Sequence, residues 1–283
     1  MRLEFTKMHG LGNHFVVVDG LVPGTPSVTE VEPHIAFMGD GRFGIGFDQF
    51  LFVLPSEKAD FYMGIYNTDG WVAEMCGNGI RAFAKFVYER RYTDKREITV
   101  DTLGGLKTLE LTVVDGKVTL VKVDMGKPGL DRADLPMTGV AGVVQNESLE
   151  VGNENVLITG VSMGNPHAVF FADTATDDII DRVGPKIEHH SRFPRRINVH
   201  EVEVLSPTEI KMLTWERGAG RTLACGTGAC ASVVASALNG KTGRRVLVHL
   251  AGGDLQIEWA DDDHVYMTGP ATEVFTGVIE LAD

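Results

Sequence analysis

The chain has 283 residues, 43% of them hydrophobic and 23% charged, which is the composition of a soluble globular protein with one large domain or two smaller ones. Its formal net charge of −13 argues against a nucleic-acid partner. No apolar run approaches the roughly 18 residues of a membrane span and no signal peptide is recognisable, so we expect a cytoplasmic protein without a membrane partner. Three cysteines without a Cys-x-x-Cys pair argue against a disulfide framework and against a metal site.

The first prominent helix is predicted just after Cys76. Apolar residues recur there at the spacing of one helix face, namely Ile80, Phe83, Ala84 and Val87. Further along, residues 109–113 and 118–123 are predicted to be two strands joined by a turn at Asp115-Gly116. The first half is therefore predicted to be rich in strands, with one central helix.

The second half follows the same order. A second helical pattern follows Cys225, with apolar positions at Cys230, Val233, Val234, Ala237 and Leu238. Asn239-Gly240 is typical of a helix end. Strands are predicted after it at 246–250, 255–259 and 265–267, and a last strand is predicted from Thr272.

The two halves also share motifs at matching distances. Cys76-Gly77-Asn78-Gly79 returns as Cys225-Gly226-Thr227-Gly228. Further pairs at corresponding distances from these cysteines are Asn67 with Glu216, Gln49 with Asn198, and Asn13 with Asn165. Such an ordered series indicates an internal repeat. It predicts an α+β fold of two pseudo-symmetric duplicated domains, residues 1–128 and 129–271, with 129–149 as the connection between the repeats.

Both motif cysteines stand where a helix begins. The thiolate is the reactive form of cysteine, and the exposed N–H groups and the dipole of a helix N-terminus favour it. The same N–H groups can bind a carboxylate, which the neighbouring glycines allow to approach closely. Two such cysteines on opposite sides of one carbon could remove a proton from one face and deliver a proton to the other. Cys230, on the apolar stripe, is predicted to be a buried hydrophobic residue.

Six motifs distributed along both halves together resemble one family. They are Lys7-Met8-His9-Gly10-Leu11-Gly12-Asn13, Tyr66-Asn67-Thr68-Asp69-Gly70, Met75-Cys76-Gly77-Asn78-Gly79, Gly164-Asn165-Pro166-His167, Trp215-Glu216-Arg217-Gly218 and Ala224-Cys225-Gly226-Thr227-Gly228. They are similar to the motifs of the diaminopimelate epimerases. The chain departs from that pattern at His14 and Arg221, where the family usually has acidic residues. These departures concern local electrostatics rather than the reaction.

The resemblance implies an activity and a set of site residues. It implies the cofactor-independent, two-base epimerisation of LL-diaminopimelate to meso-diaminopimelate, in lysine and cell-wall precursor biosynthesis, without pyridoxal phosphate or a metal. Cys76 and Cys225 would be the acid/base pair. His167 would help to orient a thiol, although it could equally be a buried core histidine. The substrate would be held by the side chains of Asn13, Gln49, Asn67, Asn165, Asn198, Glu216 and Arg217 and by backbone amides at Gly77, Asn78, Gly226 and Thr227.

The same resemblance implies further features of the architecture. Each domain would curl its strands like a barrel around its central helix. The C-terminal strand, residues 272–283, would return to the first domain. Members of the family are commonly homodimers, so a second copy of the chain is the expected protein partner.

Two other functions remain open from the sequence. Proline racemases and hydroxyproline epimerases resemble this chain in the expected fold and in the cysteine pair. They tend to carry other residues where this chain has Asn78 and Ala224. Their substrates, with one reacting centre, would also not need Glu216 and Arg217, which suit a distal ammonium and carboxylate. A non-enzymatic thiol redox sensor would explain the two cysteines but not the polar residues at matching distances.

Overall fold

The computed structural model describes residues 1–282, and the chain divides into two compact units. The N-terminal unit comprises Met1–Val123 together with the segment that begins at Gly269, and the C-terminal unit comprises Asp124–Thr268. Both units are rich in strands that pack against helices, which confirms the predicted α+β class. None of the described helices is long and apolar enough to cross a membrane.

The first segment of the N-terminal unit contains three α-helices and seven strands. In chain order these elements are β1 (Arg2–Gly10), β2 (Asn13–Asp19), α1 (Val28–Val31), α2 (Ile35–Gly39), β3 (Gln49–Leu54), β4 (Phe61–Asn67), α3 (Gly77–Glu89), β5 (Glu97–Asp101), β6 (Lys107–Val114) and β7 (Lys117–Asp124). The predicted hairpin between β6 and β7 is confirmed. Its turn residues Asp115 and Gly116 have φ angles of 48° and 76°, the left-handed conformation that such a two-residue turn requires.

The C-terminal unit contains a second long helix besides the predicted one. Its elements are β8 (Glu147–Val151), β9 (Glu154–Ser162), β10 (Pro166–Phe171), α4 (Asp177–Glu188), β11 (Asn198–Ser206), β12 (Glu209–Glu216), β13 (Gly220–Arg221), α5 (Gly226–Leu238), β14 (Arg245–Leu250), β15 (Gly253–Trp259) and β16 (Val265–Gly269). The last strand, β17 (Thr272–Glu280), pairs antiparallel with β1, with Arg2 opposite Glu280.

Strand pairing repeats between the units with the same directions. In the N-terminal unit β1–β2 is antiparallel, β2–β3 parallel and β3–β4 antiparallel. In the C-terminal unit β9–β10, β10–β11 and β11–β12 follow the same sequence. The registers also correspond, because Leu51 lies opposite Ile65 just as His200 lies opposite Thr214. The residue equivalences predicted from the sequence are therefore equivalences of backbone position.

The two predicted central helices are confirmed. In α3 the apolar face of Ile80, Phe83, Ala84 and Val87 is buried, and the helix packs on β1, β2 and β3. Helix α5 is buried over most of its length and packs on β9, β10, β11 and β15. Its C-cap is Asn239, as the sequence predicted.

Two features of the C-terminal unit were not predicted. Helix α4 begins at the N-cap Thr176, whose hydroxyl accepts a hydrogen bond from the amide of Ile179, and it buries Ile180 and Val183. The segment 129–149 is more than a connection, because Leu135 and Val144 belong to the same hydrophobic core as α4. Both segments bury apolar side chains in that core, together with Phe170 of β10 and Val199 of β11.

Candidate active site

In the N-terminal unit, Cys76 is the N-cap of α3. Its backbone is extended, and its sulfur accepts a hydrogen bond from the amide of Gly79 at 3.2 Å. Sγ also lies 3.7 Å from Oδ1 of Asn13, at the start of β2. The half-buried thiol therefore stands at the positive end of a 13-residue helix, beside the polar beginning of a strand.

The side-chain amide of Asn13 has a fixed orientation. Its Nδ2 donates to Oδ2 of Asp48 at 2.9 Å, and the same oxygen accepts the amide of His14 at 2.6 Å. Oδ1 of Asn13 is thereby turned towards Cys76, and it accepts a second hydrogen bond from Nδ2 of Asn78 at 3.5 Å. An acceptor at this position pairs with the protonated thiol.

Gln49 and Asn67 lie opposite one another on β3 and β4, at the strand ends nearest Asn13. Nε2 of Gln49 donates to Oδ1 of Asn67 at 3.2 Å. Two oxygens of this group, Oε1 of Gln49 and Oδ1 of Asn78, are buried without a hydrogen-bond partner among the described residues. Buried acceptors of this kind are normally paired, so they suit the ammonium group of a ligand.

In the C-terminal unit, Cys225 is the N-cap of α5 and is only 4% exposed. Burial raises the pKa of its thiol well above the ordinary range, and the charge of Glu216 raises it further. The hydroxyl of Thr227, 3.6 Å from Sγ, and the amide of Gly228 lower the pKa by less. The amide of Gly228 at the helix start thus favours the thiolate, as the sequence predicted, but desolvation and the charge of Glu216 outweigh it.

A series of hydrogen-bonded side chains leads from the partly buried Thr227 into the interior of the unit. Nδ2 of Asn165 lies 3.3 Å from Oγ1 of Thr227, and Oδ1 of Asn165 lies 2.9 Å from Nε2 of His167. Nδ1 of His167 lies 2.8 Å from Nε2 of His200, and Nδ1 of His200 lies 2.8 Å from Oγ1 of Thr214. Burial lowers the pKa of His200 to about 3 and lowers that of His167 well below its ordinary value, so both rings are neutral.

The remaining predicted residues of this half lie at the ends of β11 and β12. Asn198 donates from Nδ2 to the carbonyl of Pro166 at 2.9 Å and accepts the amide of Arg217 at 2.9 Å. Glu216 accepts a hydrogen bond from the hydroxyl of Thr222 at 2.5 Å. The guanidinium of Arg217 donates to the carbonyl of Arg195 at 3.3 Å. A carboxylate and a guanidinium thus stand on one loop in the same unit as Cys225.

Glu188 is a residue of this region that sequence reasoning missed. It ends α4, is buried, and accepts hydrogen bonds from Nε1 of Trp215 at 2.8 Å and from the amide of Gly218 at 2.9 Å. These two donors bracket Glu216 and Arg217. Glu188 therefore anchors the charged loop, and no motif marks it because it lies 27 residues away from Trp215 in the chain.

The side chains of the two departures from the family pattern make their contacts outside the predicted site. The side chain of His14 is exposed, and only its backbone takes part in the hydrogen bond to Asp48. Arg221 forms an ion pair of 2.6 Å with Asp177 at the start of α4. Among residues 1–282, neither side chain is hydrogen-bonded to a predicted site residue.

Each unit therefore gathers its predicted residues at corresponding ends of its strands, around the first turn of its central helix. The N-terminal unit offers a thiol, helix amides and neutral side-chain amides. The C-terminal unit offers the same groups together with a carboxylate and a guanidinium. Such groups can bind a zwitterion and move a proton at a carbon next to a carboxylate. No cluster of three or more potential metal ligands occurs among residues 1–282.

Comparison with solved structures defines the class of the fold. The chain is similar to a phenazine biosynthesis protein of the PhzF family from Bacillus anthracis, with a TM-score of 0.73, 17% identity and coverage of 99% of this chain and all of that one. It is also similar to a probable proline racemase from Agrobacterium radiobacter, with a TM-score of 0.72, 16% identity and coverage of 99% and 93%. At these identities the likeness shows a shared fold of two repeated segments.

Sequence comparison gives the family. The family model for diaminopimelate epimerase matches residues 5–130 and 159–274. A diaminopimelate epimerase of Pelotomaculum thermopropionicum is 53% identical over 276 residues, covering 97% of this chain and 98% of that protein. Another, from Acetivibrio thermocellus, is 49% identical and covers 99% of both chains. The chain belongs to the diaminopimelate epimerase family.

Proposed function

We propose that this protein catalyses the cofactor-independent epimerisation of LL-diaminopimelate to meso-diaminopimelate. One observation carries the proposal: a cysteine caps the central helix of each unit at equivalent backbone positions. The family membership and the curated relatives support the substrate and a role in lysine and cell-wall precursor biosynthesis.

Cys76 and Cys225 are the acid/base pair in this proposal. One sulfur, as thiolate, removes the proton from the α-carbon, and the electron pair is delocalised onto the neighbouring carboxylate. Backbone amides at Gly77, Asn78, Gly226 and Thr227 stabilise that carboxylate as charge develops. The other cysteine, as thiol, delivers a proton to the opposite face. After one turnover the two cysteines have exchanged protonation states.

The polar side chains recognise the two amino-acid centres. Arg217 pairs with the distal carboxylate and Glu216 with the distal ammonium. The five amide residues Asn13, Gln49, Asn67, Asn165 and Asn198 supply neutral donors and acceptors. The buried, unpartnered oxygens of Gln49 and Asn78 support an ammonium contact in the N-terminal unit. His167 supports Asn165, to which it is hydrogen-bonded.

We propose a cytoplasmic homodimer that binds neither nucleic acid nor membrane. Support for a second copy comes from β17, where the large apolar side chains of Val274, Phe275 and Val278 are about half exposed. A surface of this kind favours association. Sedimentation equilibrium tests the proposal directly, and a monomer at micromolar concentration would contradict it.

The experiment that tests the function uses LL-diaminopimelate in D2O. Product formed early should carry deuterium at the inverted centre, while unreacted LL substrate should carry little, because the two thiols are fixed at helix ends and act on opposite faces. Protium retained in early product would contradict the two-base mechanism. L-Proline and trans-4-hydroxy-L-proline serve as comparison substrates. Turnover of either one in place of diaminopimelate would favour the racemase alternative.

A further inference from the structure

The C-terminal unit contains a continuous series of polar groups that is fully buried at Thr214, His200 and His167 and leads through Asn165 and Thr227 to Cys225. His167, His200 and Thr214 lie side by side on β10, β11 and β12 and are almost completely inaccessible to solvent. With Asn165 and Thr227 they form an unbroken chain of hydrogen-bond contacts, each between 2.8 and 3.3 Å. Buried polar chains are costly unless every member is satisfied, so this one needs an explanation.

The hydrogen bonds of this series all run in one direction. Nδ2 of Asn165 can only donate, so Thr227 accepts from it and Oδ1 of Asn165 is left to accept from Nε2 of His167. A neutral His167 that donates from Nε2 must accept at Nδ1, which requires the hydrogen on Nε2 of His200. His200 then accepts at Nδ1 from the hydroxyl of Thr214. Every donor in this sequence points towards Thr227.

The last residue of this hydrogen-bond series, Thr227, determines which atom faces the sulfur of Cys225. Because Oγ1 of Thr227 accepts from Asn165, its own hydrogen is free to point at Sγ of Cys225, 3.6 Å away. We propose that His200 and Thr214 are positioning residues that keep these hydrogen bonds directed towards Thr227, so that Thr227 donates to the Cys225 sulfur and stabilises its thiolate. This inference rests on the acid/base role proposed for Cys225.

The packing around His200 supports a fixed ring. A Cβ atom at Gly228, in the first turn of α5, would lie 2.3 Å from Cε1 of His200, so the helix start and the imidazole are in direct contact. The charged groups that act on this region from the same unit are Glu216, which raises the pKa of Cys225, and Arg217, which lowers that of His167. Neither imidazole is hydrogen-bonded to a carboxylate of the described residues, so no such partner stabilises a charged ring.

The test titrates Cys225 without using activity. In a Cys76→Ala/Cys230→Ala protein, Cys225 is the only cysteine, and thiolate absorbance in the ultraviolet reports its pKa. Adding Thr214→Val keeps the side-chain shape and removes the terminal donor. We expect the Cys225 pKa to rise by about one unit, which is the size expected for weakening a hydrogen bond to a charged acceptor. Thr214→Ser, which restores the hydroxyl, should return the pKa to its starting value.

Two matched controls separate this role from a general structural effect. Thr102 is also buried, and its hydroxyl donates to the carbonyl of Gly105 at 2.8 Å within the N-terminal unit. Thr102→Val should leave the Cys225 pKa unchanged. In the reciprocal protein with Cys76 alone, Thr214→Val should not move the Cys76 pKa. An unchanged Cys225 pKa in Thr214→Val, or an equal shift in either control, would overturn the proposal.

A measurement on the unaltered protein keeps the proposal testable if Thr214→Val does not fold. Long-range 15N–1H NMR correlation distinguishes the tautomers of a neutral imidazole. We expect hydrogen on Nε2 and none on Nδ1 in both His167 and His200. Hydrogen on Nδ1 of either ring would reverse the chain and overturn the proposal, whether or not the protein epimerises diaminopimelate.

Discussion

The strand face next to the central helix is apolar in one unit and polar in the other. In the N-terminal unit, Phe15, Leu51 and Ile65 are fully or almost fully buried there. By strand register, the equivalent positions of the C-terminal unit are occupied by His167, His200 and Thr214. The same backbone arrangement therefore positions both cysteines over interiors of different chemistry.

The difference extends to neighbouring positions. Phe52 is equivalent in register to Glu201, and both are completely buried. In the central helices the contrast is reversed, because the buried Arg81 of α3 corresponds to Cys230 of α5. Strand register and helix capping thus place a thiol, whereas the side chains beneath it set the electrostatic surroundings of that thiol.

The immediate partners of the sulfurs differ accordingly. Cys76 lies beside an acceptor, Oδ1 of Asn13, whose orientation is fixed by Asp48. Cys225 lies beside a hydroxyl, that of Thr227. The acid/base mechanism proposed above does not require identical surroundings for the two sulfurs. The groups next to each sulfur differ between the units, and burial disfavours the thiolate of Cys225.

The largest expected effect tests whether both units are needed for catalysis. Cys76→Ala and Cys225→Ala should each lower kcat with LL-diaminopimelate by about 10³-fold or more, because each removes a general acid/base. Cys230→Ala, which alters a buried residue outside the first turn of α5, should keep nearly wild-type kcat. Wild-type turnover in either of the first two variants would show that one unit alone carries the chemistry.

The second prediction concerns the charged loop, which only the C-terminal unit has. Arg217→Met should lower kcat/KM by about 10²-fold or more, since an unpaired carboxylate in a desolvated site is costly. Arg182→Met, which alters an exposed arginine paired with Glu154, is the matched control and should have little effect. An unchanged kcat/KM in Arg217→Met would remove this loop from substrate recognition.

The third prediction contrasts equivalent glycines of the two helices. Gly228→Ala should lower the free energy of unfolding by about 2 kcal/mol, because the new Cβ overlaps the ring of His200. Gly79→Ala meets only contacts of 3.3–3.4 Å, with Cys76 and Phe15, and should cost less.

Chemical denaturation of each variant gives these free energies. The double variant Gly228→Ala/His200→Ala should recover part of the loss, because the overlapping ring is gone. Equal costs at both glycines would show that the polar interior does not constrain α5 differently.

The smallest effect concerns pH. Burial raises the pKa of Glu201 to about 7, from about 4.3 in an unfolded chain. Below pH 4 both states hold the proton and the contribution of Glu201 to stability is fully present. As pH rises towards and through 7 the unfolded chain releases its proton first, so this stability is lost. We therefore expect Glu201→Gln to gain roughly 1–2 kcal/mol relative to wild type between pH 4.5 and 8.

Thermal or chemical unfolding at several pH values checks this prediction. Glu203→Gln is the control, because Glu203 is only partly buried and lies 3.8 Å from Nζ of Lys211. Its stability relative to wild type should not vary with pH in the same way. A pH-independent difference between Glu201→Gln and wild type would show that the pKa of Glu201 is not raised by folding.

Local patterns in the sequence determined that α3 and α5 begin at the repeated cysteine motifs, and they also determined the β6–β7 hairpin and the last strand. These features depend on residues close together in the chain, because helix periodicity, caps and turn residues act within a few positions. The same series of motifs predicted which polar residues gather near each cysteine. Matching distances in a repeat require matching registers, and the strand pairing confirms that they match.

Only the tertiary structure decided the surroundings of those motifs. Glu188 contacts the charged loop from α4, His200 contacts His167, and Thr214 contacts His200, and no short sequence motif indicates any of these contacts. The raised pKa of Cys225 likewise depends on how completely α5 is buried and on the position of Glu216. Capping and periodicity are local, whereas desolvation and long-range hydrogen bonds depend on the whole packed unit, and that is why the sequence indicated the candidate acid/base groups but not their protonation.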